Sequence, residues 1–502
     1  MFLRLACFSL LLLPVIAAGQ RIQYSDIERE DGRTINFEII GKVTGNILVY
    51  KNYRSENIIC VYDNDMKLKE RVKLKDMPER IINADFIGYP THGYMIYQYQ
   101  RRNVIHCMAL KIGGDGHPVG DKVELDTTQI GAFQSNNKIY SMLNSEDRNR
   151  IMIIKINRKN DRNHMLTAML YDTALNQQYK HRMNIPMANR NYYLSEFQLD
   201  NEGDLFFTKC MSSNNNDYVV KLELGHKPRN LENCNFYPID TREKTLDEVR
   251  LKPDNVNRKV IINAFYYTKR NGNIDGMFAA LWGKDSLKTQ FAEANPFNDT
   301  LRAEAKGEAS VKTAFNDFFI NHIIPKKDGG FIIAAESNYS TGNANPWNRW
   351  DYLNRYPYFT SYDYYDLGGR YWFWSGDRWG RQSVTWHNDN IAVFSFNARG
   401  QMMWSNVVHK DQSDDYTQDY LSYQMIITGG QLHFLFNNKE KNDMLMYDHS
   451  VSPSGHVTRN PTLKNLDRQR TLMPRYGKQV NSRQMVFPCM YKSYLCFAKI
   501  EY

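Results

Sequence analysis

Residues 83–126 read NADFIGYPTHGYMIYQYQRRNVIHCMALKIGGDGHPVGDKVELD. Four short runs, the inner two rich in Ile, Tyr and Met, are separated by turns around Gly93, at Arg101-Arg102-Asn103 and over 113–118. No 3.6-residue period survives in them, so the segment is expected to form four consecutive strands joined by tight turns. Comparable units recur. Residues 46–74 carry the last three strands of a first unit, and a longer unit starts at Gln129 and ends with 164–185. Others lie at 197–224, 260–283, 323–337 with 390–408, 424–457 and 485–502. Repeats of about 45–55 residues with four short strands each are the pattern of propeller blades. The expected fold is therefore all-β, a single β-propeller of seven or eight four-stranded blades over residues 20–502. The final unit supplies three strands and residues 20–33 one spare strand, so the N-terminus is expected to complete the last blade.

Two insertions interrupt the repeat. Residues 299–315, DTLRAEAKGEASVKTAF, are expected to hold one short helix capped by Asp299, with Gly307 opposing its extension. The second, about 338–389, lies between the second and third strands of one blade. It contains PWNRWDYLNRYPYFTSYDYYDLGGRYWFWSGDRWGRQSVTW (346–386), with six of the eight tryptophans of the chain and only Leu353, Leu367 and Val384 as aliphatic residues. Tyr and Trp bring large apolar area at little rotamer cost, the composition of a contact surface. Three readings stay open: sugar stacking, docking of a protein partner, and a lid whose rings pack onto the face beneath. The contact residues expected are Trp347, Trp350, Tyr352, Tyr356, Tyr364, Tyr365, Trp372, Trp374 and Trp379, with Arg349, Arg370 and Arg378 as charged partners.

Residues 1–19 have the form of a secretory signal: Arg4, an apolar stretch from Leu5 to Ile16, and Ala17-Ala18-Gly19 before Gln20. No transmembrane segment is expected in the mature chain. Net charge is +9 with the basic residues spread along the sequence, as on a solvated surface, and nucleic acid is not expected as a partner of an exported chain. Six cysteines follow the signal: Cys60, Cys107, Cys210, Cys234, Cys489 and Cys496. Most stand in strand-like runs as small hydrophobes, and Cys489 with Cys496 across a hairpin is the pair best placed for a disulfide.

Metal and cofactor signatures are absent from the sequence, as are the nucleophile-elbow, zinc-helix and phosphate-loop motifs. No metal and no cofactor are expected. Asp63-Asn64-Asp65 and Gly113-Gly114-Asp115-Gly116 read as turns, and His433 as a structural histidine. Acid–base candidates in or beside the insertion are Glu336, Asp363, Asp366, Asp377, Arg378, His387 and Asp389; their separation cannot be read from spacing.

SFNARGQMMW (395–404), with Asn397, Gly400 and Trp404, resembles the strand–turn–strand signature of quinoprotein-type propellers. The likeness implies blade geometry and no quinone, since the acidic position is Asn and the Trp occurs in one unit. IAVFSFNARGQMMWSNVVHKDQSDD (391–415), LSYQMIITGGQLHFLFNNKEKN (421–442) and residues 460–502 resemble a family of uncharacterised exported proteins of Bacteroidota. That resemblance implies a bacterial envelope address, periplasmic or outer-membrane associated ahead of free secretion, and brings no catalytic residues with it. The function expected is a non-enzymatic binding or scaffold module that recognises a glycan or envelope protein through the aromatic loop. The alternative is a carbohydrate-active enzyme, a glycoside hydrolase or lyase using carboxylates near the insertion.

Overall fold

Two-residue alternation along the strands decides which side chain packs where. In Lys259–Tyr267 all nine residues are buried. Val260, Ile262, Ala264 and Tyr266 enter one apolar cluster, while Ile261 and Phe265 enter another on the opposite face. A strand buried on both faces needs a layer on each side of its sheet, and this requirement recurs throughout the chain.

The computed structural model describes residues 21–28, 35–131, 138–160, 162–213, 218–269, 272–307, 309–342, 384–440, 443–461 and 470–502. Apart from one short helix and a single 3-10 turn, the regular structure of these residues is antiparallel strand, the all-β class expected. Four-stranded sheets cover 36–73, 83–129, 141–186 and 423–459. An eight-stranded sheet covers 192–296, but its halves meet at one residue pair, Val219 with Leu246. It is two four-stranded layers, packed face to face, whose ladders meet at that one pair. Residues 318–408 make four further strands, with Ser413–Asp414 added beside the third. In the last sheet Arg21–Tyr24 pairs with Tyr494–Glu501, Arg21 opposite Glu501. The N-terminal strand thus lies beside the C-terminal one.

Eight apolar clusters connect these layers. Seven of them take side chains from two layers that follow one another in the chain. The eighth joins the last to the first, with Val486 and Phe497 against Phe37, Val49 and Tyr62. Asx-type turns close the outer hairpins: Asp63 Oδ1 accepts from the backbone of Asp65 and Lys67, Asp172 Oδ1 from Ala174 and Asn176, and Asn397 Oδ1 from Arg399 and Gln401. Trp404 packs on the next layer's turn, where a Cβ on Gly455 would meet its ring at 2.7 Å.

Some details differ from the expectations. The helix is Asp299–Ala305, and its cap is Asn298, whose side chain accepts from the Leu301 backbone at 2.8 Å. Asp299 instead occupies the first turn, where its charge suits the helix dipole. Gly307 follows at φ 51°, past the helix end. Cys489 and Cys496 face each other across a hairpin and are bonded, while Cys60, Cys107 and Cys210 are free and buried. His433 has its ring nitrogen 3.0 Å from Asp448, a structural pairing. No helix among the described residues is long and apolar enough to cross a membrane.

The segment after the N-terminal strand ties the first and last layers with polar groups. Ser25 exchanges backbone and side-chain hydrogen bonds with Phe497. Glu28, 5% exposed, contacts the Lys51 ammonium and accepts from the Tyr62 hydroxyl at 2.9 Å. Lys51 is 3% exposed, and burial lowers its pKa to about 8. Removing one partner of a buried pair strands the other charge, so Glu28→Ala should lower stability by about 3–5 kcal/mol. Urea unfolding of the variant against the parent protein would measure this.

Candidate active site at the root of the aromatic insertion

The twelve contact residues expected from the sequence, 347 to 379, lie outside the described residues, as do Asp363, Asp366 and Asp377. Glu336, His387 and Asp389 are described, and the fold brings them together where the insertion leaves the sheet.

The two strands that carry them are the longest among the described residues, Phe331–Gly342 and Val384–Phe396. Their pairing continues to Gly342 opposite Val384. Residues 338–342 and 384–389, expected within the insertion, are therefore ladder; Tyr, Thr and Trp suit strand geometry even where they flank a long loop. The ladder holds one irregularity. Glu336 faces Ile391 and Asn338 faces Asn388, so Asp389 and Asn390 together oppose Ser337. That is a β-bulge, a device that re-aims side chains and is enriched beside functional sites.

Asp389 sits in this bulge. Tyr339 donates its hydroxyl to Asp389 Oδ2 at 2.9 Å. The Tyr339 ring stacks on His387, its direct cross-strand partner, with centroids 4.5 Å apart and planes 3° from parallel. His387 Nε2 in turn lies 2.9 Å from Thr341 Oγ1. One face of the ribbon therefore presents Thr341, Tyr339, His387 and Asp389 in a held row.

Behind that row lies a buried polar cluster. Lys410, its side chain 0% exposed, is 2.9 Å from Glu336 Oε1 and donates to the Asn388 carbonyl and to Gln412 Oε1. Glu336 Oε2 accepts from Ser422 at 2.6 Å and from Asn388 at 3.1 Å. Glu336 and Lys410 neutralise each other, the condition for burying both. Burial holds the Lys410 ammonium below its usual range, against the pull of Glu336. Burial raises the Asp389 carboxyl, opposed by the Tyr339 hydrogen bond and by Lys410, while Asp411 pushes in the same upward direction. Nearby His322 is lowered to about 4 by burial. A half-buried carboxylic acid with a raised pKa and one hydroxyl donor is suited to proton donation. Sequence reading named Glu336, His387 and Asp389 as candidates but missed Tyr339, Lys410 and the bulge. Tyr339 and Asp389 stand 50 residues apart in the chain, and nothing in HNDN (387–390) marks a bulge.

A second acidic group lies at the turn after the strand Tyr192–Leu199. Asp200, Glu202 and Asp204 bring carboxylate oxygens within 4.8 Å of one another. The Lys284 ammonium lies among them, 2.8 Å from Glu202 and 2.9 Å from Asp204, in the position a cation would take.

No protein-family model matches the sequence, and no curated protein matches it. Solved structures show distant likeness. A prolyl endopeptidase aligns over 92% of this chain at 8% identity with a TM-score of 0.39, and this chain spans about 55% of its length. An ulvan lyase aligns over 82% of this chain and 90% of its own, at 10% identity and a TM-score of 0.37. An α-L-arabinofuranosidase of Fusarium graminearum aligns over 72% of this chain and 92% of its own, at 8% identity and a TM-score of 0.32.

Proposed function

We propose that this protein is a carbohydrate-active enzyme of the bacterial envelope, scaffolded by an eight-bladed propeller, with Asp389 as its general acid. The scaffold reading rests on eight layers, six of four strands and two of five, and on eight apolar clusters that join them in cyclic order. Export is supported by the signal-like residues 1–19 and by the Cys489–Cys496 bond, which suits an oxidising compartment.

The observation that carries the catalytic reading is Asp389 in its bulge, held by Tyr339 at the root of an insertion rich in Tyr and Trp. An acid whose proton is held more tightly through burial can give that proton to a glycosidic oxygen as the bond to the sugar breaks. Glu336 is closed off by Lys410 and is not free to act as the second carboxylate that hydrolysis requires. The same closed pair favours a second reading, a glycan- or protein-binding module without catalysis, because it leaves the described site short of a base.

A panel of polysaccharides assayed for new reducing ends and for unsaturated products separates the two. Cleavage by the parent protein that falls about 10²–10⁴-fold in Asp389→Asn, with binding retained, is the expected result. Binding without any product would establish the module instead. Linkage gives an independent check. A carboxyl raised in the fold contributes its stability below the ordinary carboxylate pKa and loses it as pH rises through the raised value. Asp389→Asn should therefore unfold at higher urea than the parent at pH 7, and the gain should disappear by about pH 3.

A further inference from the structure

We propose that Lys410 is the positioning residue of Asp389: it grips both neighbours of the acid from behind, and Glu336 neutralises the ammonium that does so. This rests on the reading of Asp389 as the general acid. The ladder beside the acid is interrupted. Ile391 pairs with Val408 and His387 with Ser413, so residues 388–390 face residues 409–412 without regular pairing. Backbone groups in such a gap need other partners. Asn388 donates its N–H to the Gln412 carbonyl at 3.0 Å. Lys410 then grips at two points. Its N–H donates to Asn390 Oδ1 at 3.1 Å, and its ammonium donates to the Asn388 carbonyl. One residue therefore holds both sides of Asp389.

The brace is itself anchored to the next layer. Gln412 Oε1 accepts from the Lys410 ammonium at 2.9 Å and from the Ser422 N–H at 2.8 Å. Gln412 Nε2 donates to the Asn437 carbonyl at 2.6 Å. Lys410, Glu336, Asn388, Gln412 and Ser422 are each 6% exposed or less. A neutral side chain could make the same hydrogen bonds without the desolvation that an ammonium pays and Glu336 offsets. The charge therefore has its own use. Around Asp389 stand Lys410 and Asp411 from behind, and the Tyr339 hydroxyl from the paired strand with His387 stacked on its ring. The helix side presents uncharged Gly307, where a Cβ would lie 4.0 Å from Asp389 Oδ2. Lys410 pulls the carboxyl toward ionisation, against burial and Asp411. When the Asp389 proton passes to the glycosidic oxygen, the carboxylate left behind meets this ammonium, which keeps its own protons.

The test uses the full mature protein. Lys410→Met removes the ammonium at similar length and keeps the backbone N–H that Asn390 accepts. Lys410→Met/Glu336→Gln removes both charges, and serves where the single variant strands Glu336 and fails to fold. Protonation of Asp389 is followed, without substrate, by the infrared band of the neutral carboxyl that Asp389→Asn abolishes. Its titration midpoint is expected to rise in either variant, because the opposing positive charge is gone while burial remains. Cleavage at pH 7 is expected to fall about tenfold or more in kcat with KM unchanged. An unchanged midpoint in a variant that melts cooperatively reduces Lys410 to a structural residue and overturns the inference, even where cleavage falls. A raised midpoint with undiminished cleavage also overturns it. A parent protein that titrates as expected but cleaves no polysaccharide overturns the enzyme reading, and with it the part of Lys410 in proton transfer.

Discussion

Burial on both faces of every layer is the constraint from which the rest of this structure follows. In Gly276–Gly283 all eight residues are buried, with Met277, Ala279 and Leu281 on one side and Phe278, Ala280 and Trp282 on the other. A stack of such layers laid in a row would leave an apolar face bare at each end, a surface that soluble proteins avoid. The cluster containing Phe37 and Phe497 removes both bare faces at once by packing the last layer on the first. Bringing the ends together also places Arg21–Tyr24 beside Tyr494–Glu501, where it covers an edge that would otherwise offer unpaired backbone groups to another chain.

Polar residues at the junctions obey the same logic in reverse. Lys51 meets Glu28, Lys155 meets Asp126, Lys284 meets Asp204, and Lys410 meets Glu336. In each case a buried or nearly buried charge finds an opposite one, because an unpaired ion would cost several kcal/mol. Asp389 departs from this pattern. Lys410 faces it, but is already paired with Glu336, and Asp411 adds a further negative charge. Burial outweighs the Tyr339 and Gln412 hydrogen bonds and the shared ammonium, so this carboxyl takes up a proton more readily than an exposed one. The departure occurs at a bulge beside the longest insertion, where ladder regularity is given up for a re-aimed side chain.

The strand content and the recurring hairpins were legible because they depend on local chemistry: β-branched and aromatic runs, and turn residues such as Asp63, Asp172 and Asn397 that cap their own hairpins. The partner of the N-terminal strand was legible as well, from one unit short of a strand and one strand without a unit. What sequence could not supply is contact across layers. Lys410 and Glu336 are far apart in the chain, and nothing in HKDQ (409–412) distinguishes a fully buried lysine from a solvated one. The helix cap was misplaced by one residue because Asn298 and Asp299 are both good caps, and only backbone geometry chooses between them.

The site's position then has a mechanical explanation. Functional groups carried on a short hairpin would depend on loop conformation for their placement. Here the two parent strands continue pairing to Gly342 and Val384 and gain Ser413–Asp414 as a third. The acid, its tyrosine and the histidine stacked on that tyrosine are thus held by ladder hydrogen bonds and ring contact. Groups on such a ribbon take their geometry from the ladder rather than from the loop that joins its strands.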